Sequence, residues 1–199
     1  HIRRIANPGP LGLFSFASTT FILSLYNVQA RHILIPNVVV GMAVACGGLA
    51  QLLAGQWEFV AGNTFGATAF TSYGAFWISF ALLYIPGSGI LSAYDVPGGS
   101  TQLDDALGIY LITWFIVTFL FLIAALRTHA AFIGLFFFLS LTFLLLAVGF
   151  WTHNVKVTKA GGGLGIVTAL IAYYAGASEL FNKRDTFFAL PVGRVQRID

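Results

Sequence analysis

The sequence predicts an all-α fold, an integral membrane bundle of six transmembrane helices forming a single domain over residues 1–199. Three observations carry that expectation. Charged residues make up 9% of the chain and apolar types 58%, whereas about a quarter of an ordinary soluble domain is charged. The charges are clustered, leaving residues 5–30, 32–57, 59–94, 106–126, 128–155 and 160–178 free of Asp, Glu, Lys and Arg. Each interval is long enough to cross a hydrocarbon core about 30 Å thick, which takes roughly 20 helical residues. Only about 80 residues then remain for loops and termini, by the same roughly 20 residues per span, too few for a separate soluble domain.

Gly, Pro, Asn and charge mark the boundaries and give spans 10–29, 35–54, 65–85, 104–126, 130–150 and 161–180. The first follows Arg3 and Arg4 as a signal peptide would, but further spans come after it and no small-residue cleavage pattern is clear, so it reads as a span. It opens with Asn7-Pro8-Gly9-Pro10-Leu11-Gly12-Leu13, in which two prolines fix φ and the glycines permit unusual backbone geometry. This is equally a capped helix start with proline in its first turn and a helix N-terminus shaped to offer unpaired N–H groups to an anion. Ser15, Ser18, Thr19 and Ser24 continue the first span, and Thr64, Thr68, Thr71 and Ser72 lie about one turn apart in the third. Such hydroxyl stripes either bond the preceding turn and neighbouring helices or line a watery path.

The second span repeats small residues at Gly41, Ala45 and Gly48, and the sixth at Gly161, Gly165, Ala169, Ala172 and Gly176, a spacing that lets helices approach closely. The connection from Pro86 to Thr101 is rich in Gly, Ser and Pro, carries Asp95 and reads as a flexible surface loop. Trp57, Trp77, Trp114 and Trp151 fall near or within the spans, where some serve as interfacial anchors.

Six spans put both termini on one side. That side carries Arg3, Arg4, Arg127, Lys183, Arg184, Arg194 and Arg197, against Arg31, Lys156 and Lys159 opposite, which places both ends in the cytoplasm. The formal charge of +3 therefore reflects topogenic residues and not nucleic-acid binding. Cys46 is the only cysteine and excludes an internal disulfide or a cysteine metal site. No HExxH or GxSxG pattern occurs, Asp104 and Asp105 are adjacent rather than stacked along a helix, and His32, His129 and His153 sit near span ends. Neither an enzyme, a metal centre nor a cofactor site is expected.

No Lys or Arg falls clearly inside a span. A small anion must therefore be held by neutral donors or pass the narrowest point with a proton on it. Asn7, Gln51, Asn63 and Thr64 are polar candidates for contact with such a substrate. Glu58, just before Gly62-Asn63-Thr64, is a candidate for proton coupling, since intramembrane carboxylates are costly and tend to be functional. A loop position beside the interface is the alternative. Glu179 at the end of the sixth span reads as a cap or as a partner of Lys183 at i+4.

Four segments together carry a resemblance: NPGPLGL at the start, GNTFGATAFTSYGAFW at 62–77, FFFLSLTFLLLAVG at 136–149 and ASELFN at 177–182. They resemble the acetate uptake transporter family, which includes bacterial succinate-acetate permeases and fungal acetate transporters. One departure is Gly9, where the family's pattern has alanine. The resemblance implies a plasma-membrane homo-hexamer whose protomers each pass acetate and related short carboxylates through their own pore. It also implies a hydrophobic constriction at Phe16, Tyr73 and Leu141 and a size-determining small residue at Ala172. The residues themselves offer Asn7, Pro8, Pro10, Thr19, Gln51, Asn63, Thr64, Thr68 and Ser72 as candidates for the substrate path. Two aromatic rings and an aliphatic side chain can close a pore by dewetting, with the Tyr73 hydroxyl a donor to a carboxylate. Proton symport, a passive anion channel and a membrane carboxylate sensor that moves nothing all remain compatible with these residues.

Overall fold

The computed structural model describes residues 5–181 and 186–193. Among these there is no strand. Six helices are long and apolar enough to cross a membrane: α1 Gly9–Asn27, α2 Val39–Ala61, α3 Thr64–Tyr84, α4 Gly99–Ala125, α5 Ala130–Thr152 and α6 Val155–Leu180. The chain is a multi-pass membrane protein. Arg3, Arg4, Lys183, Arg184, Arg194 and Arg197, and with them the expected Glu179–Lys183 pair, lie outside the described residues.

Local chemistry sets where each helix starts. Proline in the first turn of α1 removes an N–H that would have no helical partner, while Asn7 Oδ1 accepts the Gly9 N–H at 2.9 Å. The second helix starts later than the apolar run suggests. Gln29, Arg31 and His32 adopt left-handed φ of 59°, 52° and 62°, and Pro36 follows, so Ile33–Asn37 form a reversal instead of a first turn. The helix then runs on to Ala61, with a π-helical stretch over Ala45–Ala50 in its middle. Gly62 turns the chain at φ 80°, and Asn63 caps α3 by accepting the Gly66 N–H at 3.1 Å.

The loop expected from Pro86 to Thr101 is more ordered than its composition suggested. It winds through two 3₁₀ turns, Pro86–Ser88 and Ser92–Tyr94, and ends at Gly98, whose φ of 76° lets α4 begin at Gly99, ahead of the expected start. Asp104 thus lies within α4, where it meets His153 Nδ1 at 3.2 Å. Asn154 caps α6 through the Lys156 N–H at 3.0 Å, so exposed Lys156 and Lys159 belong to that helix.

Helix contacts run α4 to α5, α5 to α6, α6 to α1, and α2 to α3. Glycine makes the closest of these possible. A Cβ on Gly162 would sit 2.9 Å from Asn27 Cβ, and one on Gly176 2.9 Å from a ring carbon of Phe14, so α6 lies directly on α1. Gly41, by contrast, has open space around it and packs on nothing within the protomer. Between α3 and the α4–α5 pair, rings rather than backbones fill the gap: Phe76 lies 5.0 Å from Trp114 and 5.3 Å from Phe143, and Phe65 lies 5.6 Å from Phe136. Large side chains hold these helices apart, and the passage opens between them.

Candidate functional site

Two cavities lie end to end along the bundle axis. The lower one, of about 260 Å³, sits where α1, α3 and α5 begin and α2, α4 and α6 end. Its lining includes Gly9, Leu13, Gln51, Glu58, Asn63, Leu135, Phe136 and Glu179. The upper one, of about 110 Å³, is walled by Thr20, Phe76, Trp77, Leu111, Leu139, Phe143 and others. Phe16 and Tyr73 are the residues common to both linings. Their rings lie 5.4 Å apart, and both are almost wholly buried, so they form the neck between the chambers.

Tyr73 is braced on several sides. Its ring contacts Phe121 at 5.7 Å and Trp114 at 6.1 Å, and its hydroxyl is 2.9 Å from Thr118 Oγ1. The hydroxyl expected to serve a substrate is therefore already engaged, and its structural effect is to fix the ring across the passage. Leu141 is a correction. It is half-buried and lines neither chamber, whereas buried Leu139 and Leu135, one turn apart on α5, line the upper and lower chambers respectively. A step of two helical residues turns a side chain by about 200°, which carries Leu141 away from the face that Leu139 presents.

The other expected path residues divide. Gln51, Glu58 and Asn63 meet in the lower chamber, with Glu58 accepting from Asn63 Nδ2 at 2.9 Å. Asn7 and Pro8 line a separate lateral hollow with Leu11 and Trp57, although Asn7 Nδ2 reaches the chamber wall by donating to Glu179 Oε2 at 3.1 Å. Pro10 is buried in the first turn of α1 and lines no cavity described. Thr19 is buried, but its hydroxyl bonds the Ser15 carbonyl at 3.0 Å. Thr64 and Thr68 are exposed, Thr68 bonding the Thr64 carbonyl at 2.8 Å, and half-buried Ser72 lines neither chamber. The hydroxyl stripe of α3 thus faces away from the passage that Tyr73 faces. Ala172 is buried among packed helices and also lines neither chamber.

Four contributors escaped the sequence reading: Leu139, Thr20, Trp77 and Glu179. Thr20 Oγ1 and Trp77 Nε1 are buried and have no protein hydrogen-bond partner among the described residues. The same holds for both amide atoms of Gln51, which is fully buried. Many helical hydroxyls here, such as those of Thr19, Ser140, Thr142 and Thr168, bond the carbonyl four residues back. Thr20 does not. Unanswered polar groups are costly in a dry interior and call for a partner from outside the protein, an ordered water or a bound molecule. Each chamber's wall thus contains residues with unpartnered polar groups, Gln51 below the neck and Thr20 with Trp77 above it. Among the described residues no cluster of His, Cys, Asp and Glu is arranged to hold a metal.

A six-helix membrane bundle with two chambers meeting at an aromatic neck has the architecture of a transport protein. Several of its relatives are named as transporters, permeases or channels. The chain belongs to the GPR1/FUN34/yaaH family, whose sequence profile matches residues 1–197. It is 46% identical over 198 residues to acetate permease A of Emericella nidulans, covering 96% of this chain and 66% of that protein. It is likewise 46% identical over 195 residues to ammonia transport outward protein 2 of Saccharomyces cerevisiae, covering 96% of this chain and 68% of that protein. The chain thus spans about two thirds of the length of these fungal relatives. A solved structure of the bacterial acetate channel SatP matches with a TM-score of 0.83 at 34% identity, covering 96% of this chain and 100% of that one.

Proposed function

We propose that each protomer carries acetate and related short carboxylates across the plasma membrane through the two chambers, with Phe16, Tyr73 and Leu139 as the constriction. The observation that carries this reading is the neck itself: the chambers share Phe16 and Tyr73, and unpartnered donors stand on either side of it. A carboxylate leaving Gln51 meets Thr20 and Trp77 once past the rings, so the dry stretch between polar contacts is short. The names of acetate permease A and of the SatP channel support acetate as the cargo.

In this reading both termini face the cytoplasm, Glu58 takes part in proton coupling, and copies of the chain assemble as a homo-hexamer. The many large apolar side chains on the outer surface, among them Leu34, Ile35, Ile109 and Leu120, would meet lipid or neighbouring protomers.

Uptake of labelled acetate into proteoliposomes, with and without an imposed pH gradient, tests the proposal. Flux that a pH gradient drives supports symport, and gradient-independent flux supports a channel. Binding with no flux would leave a sensor and sink the transport reading. Identity to a protein named for ammonia export favours ammonia as a second cargo. Ammonium-driven pH changes in the same vesicles, in the absence of acetate flux, would replace the first reading with that one.

A further inference from the structure

We propose that the lower chamber takes its carboxylate in the protonated, neutral form, held by two hydrogen bonds to the Gln51 amide, with Glu58 and Glu179 at the mouth supplying the proton. This rests on the transport reading and specifies the state in which the cargo travels.

The first observation is Gln51. It is fully buried, it lines the lower chamber, and neither Nε2 nor Oε1 has a protein partner. A primary amide presents one donor and one acceptor side by side. An ionised carboxylate is acceptor-only, so its second oxygen would face the lone pairs of Oε1. A protonated carboxyl offers a carbonyl acceptor and an O–H donor at matching separation, and both amide atoms are answered at once.

The second observation is the company Gln51 keeps. Among the described residues, the titratable side chains lining the lower chamber are Glu58 from α2, Tyr73 from α3 at the neck, His129 at the start of α5 and Glu179 from α6, while α1 and α4 contribute none. His129 Nδ1 is occupied in accepting the Phe132 N–H at 3.3 Å. Among the described residues no Lys or Arg lines the chamber, so no full fixed positive charge there offsets that of an arriving anion.

The two glutamates are held in matching ways. Glu58 accepts from Asn63 Nδ2 at 2.9 Å while Asn63 Oδ1 accepts the Gly66 N–H at 3.1 Å. Glu179 accepts from Asn7 Nδ2 at 3.1 Å while Asn7 Oδ1 accepts the Gly9 N–H at 2.9 Å. In this second triad a Cβ on Gly9 would overlap Glu179 Oε2, so a larger residue there would require the Glu179 carboxylate to shift. Glu58 and Gln51 are seven residues apart on one helix face, the acid nearer the mouth and the amide nearer the neck. In the step proposed, the O–H bond of a glutamic acid breaks as an acetate oxygen gains that proton. The resulting glutamate regains one from water at the mouth, and no electrons are exchanged.

Acetamide separates this idea from its rivals, since it has the shape of acetic acid, carries a carbonyl and an N–H donor, and needs no proton. In proteoliposomes of the full chain, labelled acetamide should enter equally at pH 6 and pH 8, and should compete with labelled acetate more strongly at pH 8, where the proton that acetate must acquire is scarcer. Gln51→Met should weaken that competition about tenfold, the effect of unmaking hydrogen bonds in a buried site. The double variant Glu58→Gln with Glu179→Gln should slow acetate exchange about tenfold, a barrier change of about 1.4 kcal/mol, and leave acetamide uptake as in the wild type. Retained acetamide uptake also reports that this variant is folded. Exchange of acetate with no entry or competition by acetamide in the wild type overturns the proposal without recourse to any variant. So does an equal loss of both substrates in the glutamate variant, which would make the two triads mere helix caps. Absence of acetate exchange in the wild type is a different failure, that of the transport reading.

Discussion

The two chambers differ in kind as well as in size. The lower, at about 260 Å³, is edged by acids and amides. The upper, at about 110 Å³, is a sleeve of rings and aliphatic groups with a hydroxyl and an indole as its unpartnered polar groups. A cargo entering from below first meets groups that can settle its charge, and meets groups that exclude water only afterwards. On the mechanism proposed above, this order separates chemistry from filtering. Neither chamber then needs a fixed positive charge, because the acid side would deal with protonation and the aromatic side with size.

The strongest way to break the contrast is to remove the wall between the chambers. Phe16→Ala should merge them, destabilise the fold by about 3–5 kcal/mol as large core truncations do, and raise uptake of lactate relative to acetate, read by competitive flux. Selectivity unchanged at normal protein level would mean that the neck lies elsewhere. Tyr73→Phe is milder. It leaves fully buried Thr118 without its 2.9 Å partner and should cost about 1–3 kcal/mol in thermal or denaturant unfolding, the penalty of an orphaned buried hydroxyl.

Trp77→Phe sharpens the comparison further, since it keeps a ring in the upper sleeve and removes its N–H. The half-saturation concentration for acetate should rise by a few-fold, the equivalent of about 1 kcal/mol for one hydrogen bond. An unaltered value would show that the upper chamber only filters. The smallest effect belongs to Thr68→Val on the outward face of α3, expected to stay within about 0.5 kcal/mol in stability with flux unchanged.

Much of the fold was legible because charge in a membrane span is expensive, and its absence over six long intervals leaves few alternatives. Boundaries were less legible where backbone geometry decided them. Nothing in the residue types at Gln29, Arg31 and His32 announces three left-handed conformations, yet these delay α2 until Val39. In the site, Gln51 and Glu58 stood out as polar groups inside apolar stretches, whereas Phe16 and Tyr73 were singled out by the family resemblance and by no pattern of their own, since aromatic rings are common throughout these spans. Leu139 was not, since a run of leucines and phenylalanines carries almost no periodic signal and the register of α5 depends on packing. Glu179 was read by its neighbours in sequence, whereas its partner Asn7 is 172 residues away. Thr20 and Thr19 look alike on paper, and the distinction lies in which of the two satisfies itself from its own helix.

The winding of α2 has a consequence for how such a protein can change. A π turn accommodates one residue more than an α turn, and each residue advances a helix by about 100°. The stretch Ala45–Ala50 stands immediately before Gln51. Rewinding that stretch to uniform α pitch with no residue removed would swing Gln51 and Glu58 together toward the fatty chains, whereas deleting one residue there would leave both facing as they do. The membrane span would survive the rewinding while its chemistry was withdrawn. Cargo handling can thus be switched by a change of winding alone, with every conduit side chain still in place.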